Sequence, residues 1–252
     1  MIDTHAHLYA PEFDTDLPEV IQRAKKIGIE EIWIPGTDSE SLNQMERLRQ
    51  IAPGYFRFFG GLHPSDVNAS FREELDKIRK MVDAGSYSGI GEIGLDLYWD
   101  KTFLEEQKEA FIYQLDWALE RKQPVLIHVR EAFEETMPII RNYYSKNLKG
   151  IFHCFAGNQE QAEELTGEGF LLGINGNITY KKAPVAKFLQ HIPLEYIVTE
   201  TDAPYLAPTP HRGKRNESQY IPLVIQKLSE IYALPAEQIE KQTVLNAKKL
   251  LA

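Results

Sequence analysis

The sequence predicts an α/β fold, a (β/α)8 TIM barrel with an additional C-terminal helix, as one domain over residues 1–252. Three observations predict it. Short apolar segments alternate along the chain with amphipathic helical patterns. The strand segments are continuously apolar, as in Pro-Val-Leu-Ile at 124–127, because the strands of a parallel barrel are buried on both faces. Histidines and acids follow the strands throughout the chain, and in a barrel all those strand ends open on one mouth.

The elements follow one another in regular order. Strands are predicted at the opening segment 1–7 and at 31–35, 55–62, 87–95, 124–129, 150–155, 170–175 and 196–201. Helices are predicted at 17–27, about Leu42–Leu48, 71–82, 103–121, 132–144, 159–168 and 185–190, and two more close the chain. An open doubly wound sheet is the main competitor. The scatter of polar residues over so many strand ends favours the barrel.

Composition narrows the class of protein. The 252 residues are 43% hydrophobic and 26% charged, which is typical of a globular chain. A net charge of -9 argues against binding nucleic acid through overall charge. No apolar run approaches the roughly 18 residues that span a bilayer. We expect a cytoplasmic protein without a signal peptide, because functional residues begin at His5 and the single cysteine suits a reducing compartment. We expect a monomer without an obligate protein partner.

Six side chains at strand ends predict a metal site: His5, His7, Glu92, His128, His153 and Asp202. The first two share a face because side chains alternate along a strand. Nitrogen and carboxylate donors without thiolate suit zinc, manganese, iron or magnesium. Six protein ligands are too many for one open catalytic zinc, so we expect two divalent ions that share a carboxylate, with Glu92 as the bridge.

Seven short segments stand in order along the chain. They are Asp-Thr-His-Ala-His at 3–7, Gly-Leu-His-Pro at 61–64, Gly-Glu-Ile-Gly-Leu-Asp at 91–96, Ile-His-Val-Arg at 127–130, His-Cys-Phe-Ala-Gly at 153–157, Thr-Glu-Thr-Asp-Ala-Pro-Tyr-Leu at 199–206 and Arg-Gly-Lys-Arg-Asn at 212–216. Together they resemble the motifs of the TatD-type metal-dependent deoxyribonucleases of the amidohydrolase superfamily. The resemblance implies that His5, His7 and Asp202 hold one metal, that His128 and His153 hold the other, and that Glu92 bridges them.

Further residues receive supporting roles. Asp96 has the strand parity of Glu92 and is expected to hold a ligand histidine or a water, although capping the next loop is an equal alternative. Glu200 has the parity of Asp202 and is expected to orient a ligand. His63 is expected to contact a substrate phosphate rather than only stiffen a turn. Cys154 should point away from His153, toward the helices, and fill the core.

The loops predict a surface for nucleic acid. Arg130 shares the face of His128 and is suited either to a phosphate or to a rim salt bridge. Basic residues follow the seventh and eighth strands: Lys181, Lys182, His211, Arg212, Lys214 and Arg215. We select Arg212 and Arg215 as substrate contacts, with a solvated charge run as the alternative. Tyr98 and Trp99 either stack on a base or cap the barrel rim.

These observations predict a metal-dependent deoxyribonuclease that cuts single-stranded DNA or frayed ends by means of a hydroxide on a binuclear metal centre. Zinc, manganese or magnesium would serve. Glu92 or Asp202 manages the proton of the attacking water, and the resemblance implies exonuclease character. One alternative is a binuclear hydrolase of a small ester, amide or phosphoester, which has no need of the basic loop at 211–215. Another is a non-enzymatic, metal-stabilised scaffold.

Overall fold

Eight parallel strands form a barrel wall in the order of the sequence. The computed structural model describes residues 1–98 and 100–252, and the elements below are those of the described residues. The strands are β1 (Ile2–Asp3), β2 (Glu31–Pro35), β3 (Phe56–Gly60), β4 (Gly89–Asp96), β5 (Val125–Arg130), β6 (Gly150–Phe152), β7 (Leu171–Ile174) and β8 (Ile197–Thr199). The helices are α1 (Leu17–Lys26), α2 (Ser39–Ile51), α3 (Phe71–Ala84), α4 (Leu104–Arg121), α5 (Phe133–Arg141), α6 (Gln159–Gly167), α7 (Ile221–Tyr232) and α8 (Ala236–Leu250).

Backbone hydrogen bonds between the first and last strands close the wall. The amide of Thr4 donates to the carbonyl of Thr199 at 3.0 Å. Beyond the regular strands, the Asp202 amide donates to His5 at 2.8 Å and the His7 amide donates to Ala203 at 2.7 Å. The predicted (β/α)8 barrel is therefore confirmed, and the open sheet is excluded. The same bonds place the first two histidines beside Asp202.

An apolar layer fills the lower part of the barrel interior. One side chain from each of seven strands meets in a single buried cluster: Ile2, Trp33, Phe59, Leu126, Ile151, Leu171 and Val198. Only the interior of a barrel brings residues of all these strands together. Helix α8 covers the cluster through Ala247. Leu126 and Ile151 each stand two positions before a candidate ligand, His128 and His153, so strand alternation places those histidines above the apolar layer.

A bulge in β4 turns Glu92 into the barrel. The pairing of β4 with β5 shifts between Ile90 and Ile93, and both of these side chains pack outward in the layer under the helices. An unbroken strand would have given Glu92 the parity of Ile90. Gly94 makes the close approach to β5 feasible: its φ is +144°, and a Cβ there would lie 1.9 Å from the His128 carbonyl oxygen.

The segment between β7 and β8 departs from the predicted pattern. The helix predicted at 185–190 is instead a series of short 3-10 turns, among them Val185–Lys187 and Leu189–His191. Pro184 and Pro193 flank these turns and cannot continue an α-helix. The two helices predicted to close the chain are confirmed as α7 and α8. No helix within the described ranges is long and apolar enough to cross a membrane.

Candidate metal centre

The first group of donor atoms lies beside the closure between β1 and β8. The Nε2 atoms of His5 and His7 are 3.2 Å apart. They lie 3.2 and 3.4 Å, respectively, from Glu92 Oε2. Asp202 Oδ1 is 3.7 Å from the first nitrogen and 3.4 Å from the second. Two nitrogens and two carboxylate oxygens therefore converge on one point, which we call site A.

The second group surrounds the other oxygen of the same glutamate. Glu92 Oε1 lies 2.9 Å from His128 Nδ1 and 2.8 Å from His153 Nε2. These two nitrogens are 3.1 Å apart. We call this group site B. The structure thus brings together all six residues that the sequence selected as ligands, and Glu92 presents one oxygen to each group.

The donor separations fit divalent cations. Imidazole nitrogen and carboxylate oxygen bind zinc at about 2.0–2.2 Å, so neighbouring donors around one ion lie about 3 Å apart. The separations in sites A and B run from 2.8 to 3.7 Å. Six residues with nitrogen and oxygen donors, two of them acids, also match the chemistry that such ions prefer. These residues can accordingly bind divalent cations.

Burial and charge keep Glu92, Asp202 and His5 in the form that binds a cation. Burial alone would raise the pKa of Glu92, but His153, His5 and His63 outweigh it and hold that pKa well below its usual range. Burial likewise opposes ionisation of Asp202, yet its contact with His7 and the neighbouring histidines lower the pKa. Burial lowers the pKa of His5, which keeps this imidazole neutral. Two anions and a free imidazole lone pair therefore face site A.

Side chains behind the histidines set their tautomers. Asp96 Oδ2 lies 3.0 Å from His128 Nε2, so the Nε2 proton points at this carboxylate and the Nδ1 lone pair points at site B. Glu200 Oε1 lies 3.5 Å from His153 Nδ1, within ion-pair distance but without a hydrogen bond between the two atoms. Asp96 therefore has the contact that an orienting residue needs, whereas the orienting role of Glu200 stays a prediction. Asp96 also accepts a hydrogen bond from the backbone of Tyr98, so the capping alternative holds as well.

Tyr9 is a functional candidate that the sequence reasoning missed. Its hydroxyl lies 2.9 Å from His7 Nδ1 and so orients that ring toward site A. The signal was available, because Tyr9 continues the two-residue alternation of His5 and His7. It was overlooked because the predicted opening strand ends at residue 7, two positions before Tyr9.

His63 faces Glu92 as a hydrogen-bond donor. Its Nε2 atom lies 3.5 Å from Glu92 Oε1, close enough to be counted among the donors of site B. Its Nδ1 atom, however, accepts a hydrogen bond from the Ser65 amide at 3.1 Å, which leaves the proton of the neutral ring on Nε2. Burial lowers the pKa of His63 and favours this neutral ring. A protonated Nε2 suits a substrate oxygen better than a metal.

Both sites lie on the floor of an open cleft of about 1140 Å³. Its walls include Tyr9, His63, Arg130 and Tyr205. Cys154 also lines it, which makes the predicted core position of this cysteine wrong. Strand β6 ends at Phe152, and Cys154 adopts a φ of +45°, so strand alternation no longer directs its side chain.

Comparison with known proteins now adds to the geometry. The family described as TatD related DNase matches residues 2–252. The chain belongs to this TatD family. It is 38% identical over 252 residues to the "Uncharacterized metal-dependent hydrolase YabD" of Bacillus subtilis, with 99% of this chain and 98% of that protein covered. It is 32% identical over 256 residues to the "3'-5' ssDNA/RNA exonuclease TatD" of Pectobacterium carotovorum, with 99% and 98% covered.

A solved structure of a TatD relative agrees with the fold. The crystal structure of YJJV, a TatD homologue from Escherichia coli, superposes with a TM-score of 0.91 at 27% identity and covers 99% of this chain and 97% of that one. The relatives named here are metal-dependent hydrolases or nucleases. A TatD chain whose donor groups open on a cleft is an enzyme of the hydrolase class. The alternative of a non-enzymatic scaffold is therefore set aside.

Arg215, which follows β8 in this TatD chain, is arranged differently from the sequence expectation. Arg215 donates to Asp16 Oδ1 and Oδ2 at 2.7 and 2.8 Å and to Glu217 Oε1 at 2.7 Å. Arg23 joins the same network through Glu217. We call these four residues the Asp16 network. The expected contact of Arg215 with substrate is thus not supported, because its donors already face the carboxylates of Asp16, just before α1, and of Glu217 in its own loop.

Other predicted contacts lie around the rim. Arg212 is exposed, and its guanidinium lies 4.6 Å from the centroid of the Tyr180 ring. The guanidinium of Arg130 lies over the Tyr98 ring at 3.8 Å from the centroid. Trp99, selected with Tyr98 for base stacking, lies outside the described residues.

Proposed function

We propose that this chain is a metal-dependent exonuclease that hydrolyses phosphodiester bonds at the 3' ends of single-stranded nucleic acid. The observation that carries the proposal is Glu92, which faces both donor groups on the floor of an open cleft. Two divalent ions, such as zinc, manganese or magnesium, would activate a water and neutralise charge on the phosphoryl oxygens when bound there. We further propose that the protein acts in the cytoplasm.

We assign the acidic residues different tasks. Glu92 is nearly inaccessible, at 3% exposure, and both of its oxygens face donor groups. We therefore infer that it holds sites A and B together. Asp202 is 14% exposed and faces the histidines of site A through Oδ1. We infer that Asp202 takes the proton of the attacking water, because it reaches both site A and the cleft.

Neighbouring residues position the substrate in this scheme. The Nε2 proton of His63 points at the region beside Glu92 Oε1, where a phosphoryl oxygen would bind. Arg130 lines the same cleft and offers a guanidinium for a second phosphate. Asp96 and Tyr9 hold the rings of His128 and His7 by hydrogen bonds, so that these donors need little rearrangement during turnover.

The names of relatives support a nuclease but do not agree on an activity. Seven relatives that are 29–32% identical to this chain are named 3'-5' ssDNA/RNA exonucleases. These names support the 3' end and extend the substrate from DNA to RNA. The relative at 38% identity is named only as a metal-dependent hydrolase. The nuclease activity of this chain therefore needs a direct test.

A hydrolase of a small ester, amide or phosphoester is the second candidate. It is favoured by the scarcity of basic groups in the cleft: of the wall residues that the structure describes, Arg130 is the only lysine or arginine. A nucleic-acid backbone is generally held by several such residues. The size of the cleft points the other way, because about 1140 Å³ exceeds the usual 300–1000 Å³ of a small-molecule pocket.

The decisive experiment uses single-stranded DNA and RNA labelled at the 5' end. Protein stripped of metal and reloaded with magnesium, manganese or zinc should shorten both strands one nucleotide at a time from the 3' end. Glu92→Gln should lose nearly all turnover, because both donor groups lose a charged ligand, and its metal content should fall below two ions per chain. The exposed Glu19 on α1 offers a matched control: Glu19→Gln should behave as wild type.

The outcomes separate the candidates. A wild-type protein that holds two ions per chain but leaves every strand intact would favour the small-molecule hydrolase. Glu92→Gln with wild-type turnover would show that the shared carboxylate has been assigned wrongly. Shortening from the 5' end would retain the nuclease and reject the direction.

A further inference from the structure

An exposed tyrosine stands next to site A and has no part in the scheme above. Tyr205 is 54% exposed, one of the few large side chains with apolar surface left open to solvent. Its ring centroid lies 6.3 Å from that of His7, and it lines the cleft that holds both sites. An open aromatic ring beside reactive groups is a feature of nucleic-acid binding surfaces rather than of a barrel core.

The backbone around this ring is held firmly. The Tyr205 amide donates to the Asp202 carbonyl at 2.7 Å. The side-chain amide of Asn216, which is fully buried, donates to the carbonyls of Thr201 at 2.8 Å and Tyr205 at 2.7 Å. The Asn216 amide donates to Pro204 as well. The loop therefore presents the ring from a fixed position relative to Asp202, which lowers the entropy lost when a ligand stacks on it.

Other tyrosines near the cleft are already engaged. Tyr9 lies deeper, with its hydroxyl on His7 Nδ1. The ring of Tyr98 is covered by the Arg130 guanidinium. The hydroxyl of Tyr205 makes no hydrogen bond to any residue in the described ranges, so the flat face of the ring, not its polar end, is what the loop offers.

We propose that Tyr205 forms a nucleobase subsite: the base of the terminal nucleotide stacks on this ring while its phosphate faces Glu92. The inference rests on the proposed function and extends it, because it makes a base, and not only a phosphoester, part of what the enzyme recognises. Every base has a π face, so the subsite accepts all four bases. A nucleotide end that lacks its base lacks this contact.

The test compares substrates with and without the terminal base. Tyr205→Ala should lower kcat/KM on a base-bearing 3' end about 5- to 150-fold, the range expected for loss of one stacking aromatic. Tyr205→Phe should stay within about twofold of wild type, since a surface hydroxyl without partners contributes little. On a strand that ends in an abasic nucleotide, wild type and Tyr205→Ala should be equally slow.

A fluorescent base provides a readout that does not depend on cleavage. Stopped-flow mixing of the metal-loaded protein with a strand that ends in 2-aminopurine should quench the fluorescence before any product appears, and Tyr205→Ala should abolish this fast phase. Ile112, an exposed apolar side chain on α4, supplies the control: Ile112→Ala should quench as wild type.

The cleavage and fluorescence experiments together decide whether the Tyr205 subsite exists. Equal losses for Tyr205→Ala on base-bearing and abasic ends would show that the ring only supports the loop and would overturn the inference, as would undiminished quenching in that variant. A wild-type protein that quenches the terminal 2-aminopurine through Tyr205 but never cuts the strand would retain the subsite and refute the proposed function. No quenching and no cleavage would reject both.

Discussion

Substitution of Gly173 in β7 tests how strongly the packing around Glu200 and His153 holds this part of the barrel. A Cβ at this position would lie 2.1 Å from Glu200 Oε2 and 3.1 Å from the His153 Cα atom. Glu200 is fully buried. Its other oxygen accepts a hydrogen bond from the Cys154 amide at 2.6 Å. Gly173→Ala must therefore move a buried carboxylate that holds the backbone next to a candidate ligand.

These contacts set the expected loss in the free energy of unfolding of Gly173→Ala. Forcing an extra methyl group into a packed interior costs about 1–3 kcal/mol. Loss of one hydrogen bond to a charged group adds about 1.5–3 kcal/mol. The free energy of unfolding should thus fall by about 3–6 kcal/mol, which for a chain of this length lowers Tm by on the order of 10 °C. Displacement of Glu200 from its position 3.5 Å from His153 should also weaken metal binding at site B, by up to about 10- to 100-fold.

Urea unfolding and metal titration of the variant measure these two effects. Gly167 at the end of α6 is the matched control, because a Cβ there meets no atom within 4 Å. Gly167→Ala should leave the unfolding free energy unchanged or raise it by up to about 1 kcal/mol. Glu200→Asp shortens the acid and should recover part of the loss in Gly173→Ala. A fall below about 1 kcal/mol in Gly173→Ala, the size of an average substitution, would refute the reasoning.

Two further substitutions should change the metal affinity of site B and the stability of the fold at low pH. Asp96→Asn should weaken metal binding about 10- to 100-fold, because His128 loses a charged partner at 3.0 Å. Competition with a chromophoric chelator measures this affinity. The control is Asp76→Asn on the exposed face of α3, and an equal effect of that substitution would contradict the prediction. Hydrogen bonding to Arg215 lowers the pKa of Asp16 to about 2 from its ordinary 3.8. The stability that this pair contributes is therefore complete above pH 3.8 and is lost as the pH falls through about 2. Urea midpoints between pH 2 and 5 should fall less steeply in Arg215→Gln than in wild type, and parallel curves would exclude the pair as the cause.

The pattern of strands and helices could be predicted because strands that are buried on both faces are continuously apolar in the sequence. Apolar runs such as 124–127 mark a strand within a parallel barrel, and the closed wall then follows from their number. The candidate ligands followed from the same logic, since polar residues at strand ends must face the mouth. His128 and His153, each two positions beyond an inward apolar residue, show how strand alternation places a donor.

Other features depend on contacts between distant parts of the chain. The orientation of Glu92 is set by the bulge between Ile90 and Ile93, which local alternation does not contain. Arg215 stands in a basic run that suggested a nucleic-acid contact, yet its partner Asp16 is 199 residues away in sequence. A run of charged residues in a sequence shows that the side chains are polar. It does not show which of them form ion pairs in the folded protein.

The closure of the barrel has a consequence for when the protein becomes active. Site A draws two of its ligands from His5 and His7 and another from Asp202, and these are joined through backbone bonds such as that from Asp202 to His5. Loop-closure entropy opposes contacts between parts of a chain that are so far apart in sequence. During synthesis the two histidines leave the ribosome almost two hundred residues before their acidic partner. A nascent chain that has not yet released Asp202 from the ribosome therefore cannot assemble site A, so hydrolase activity must wait until most of the barrel has been synthesised.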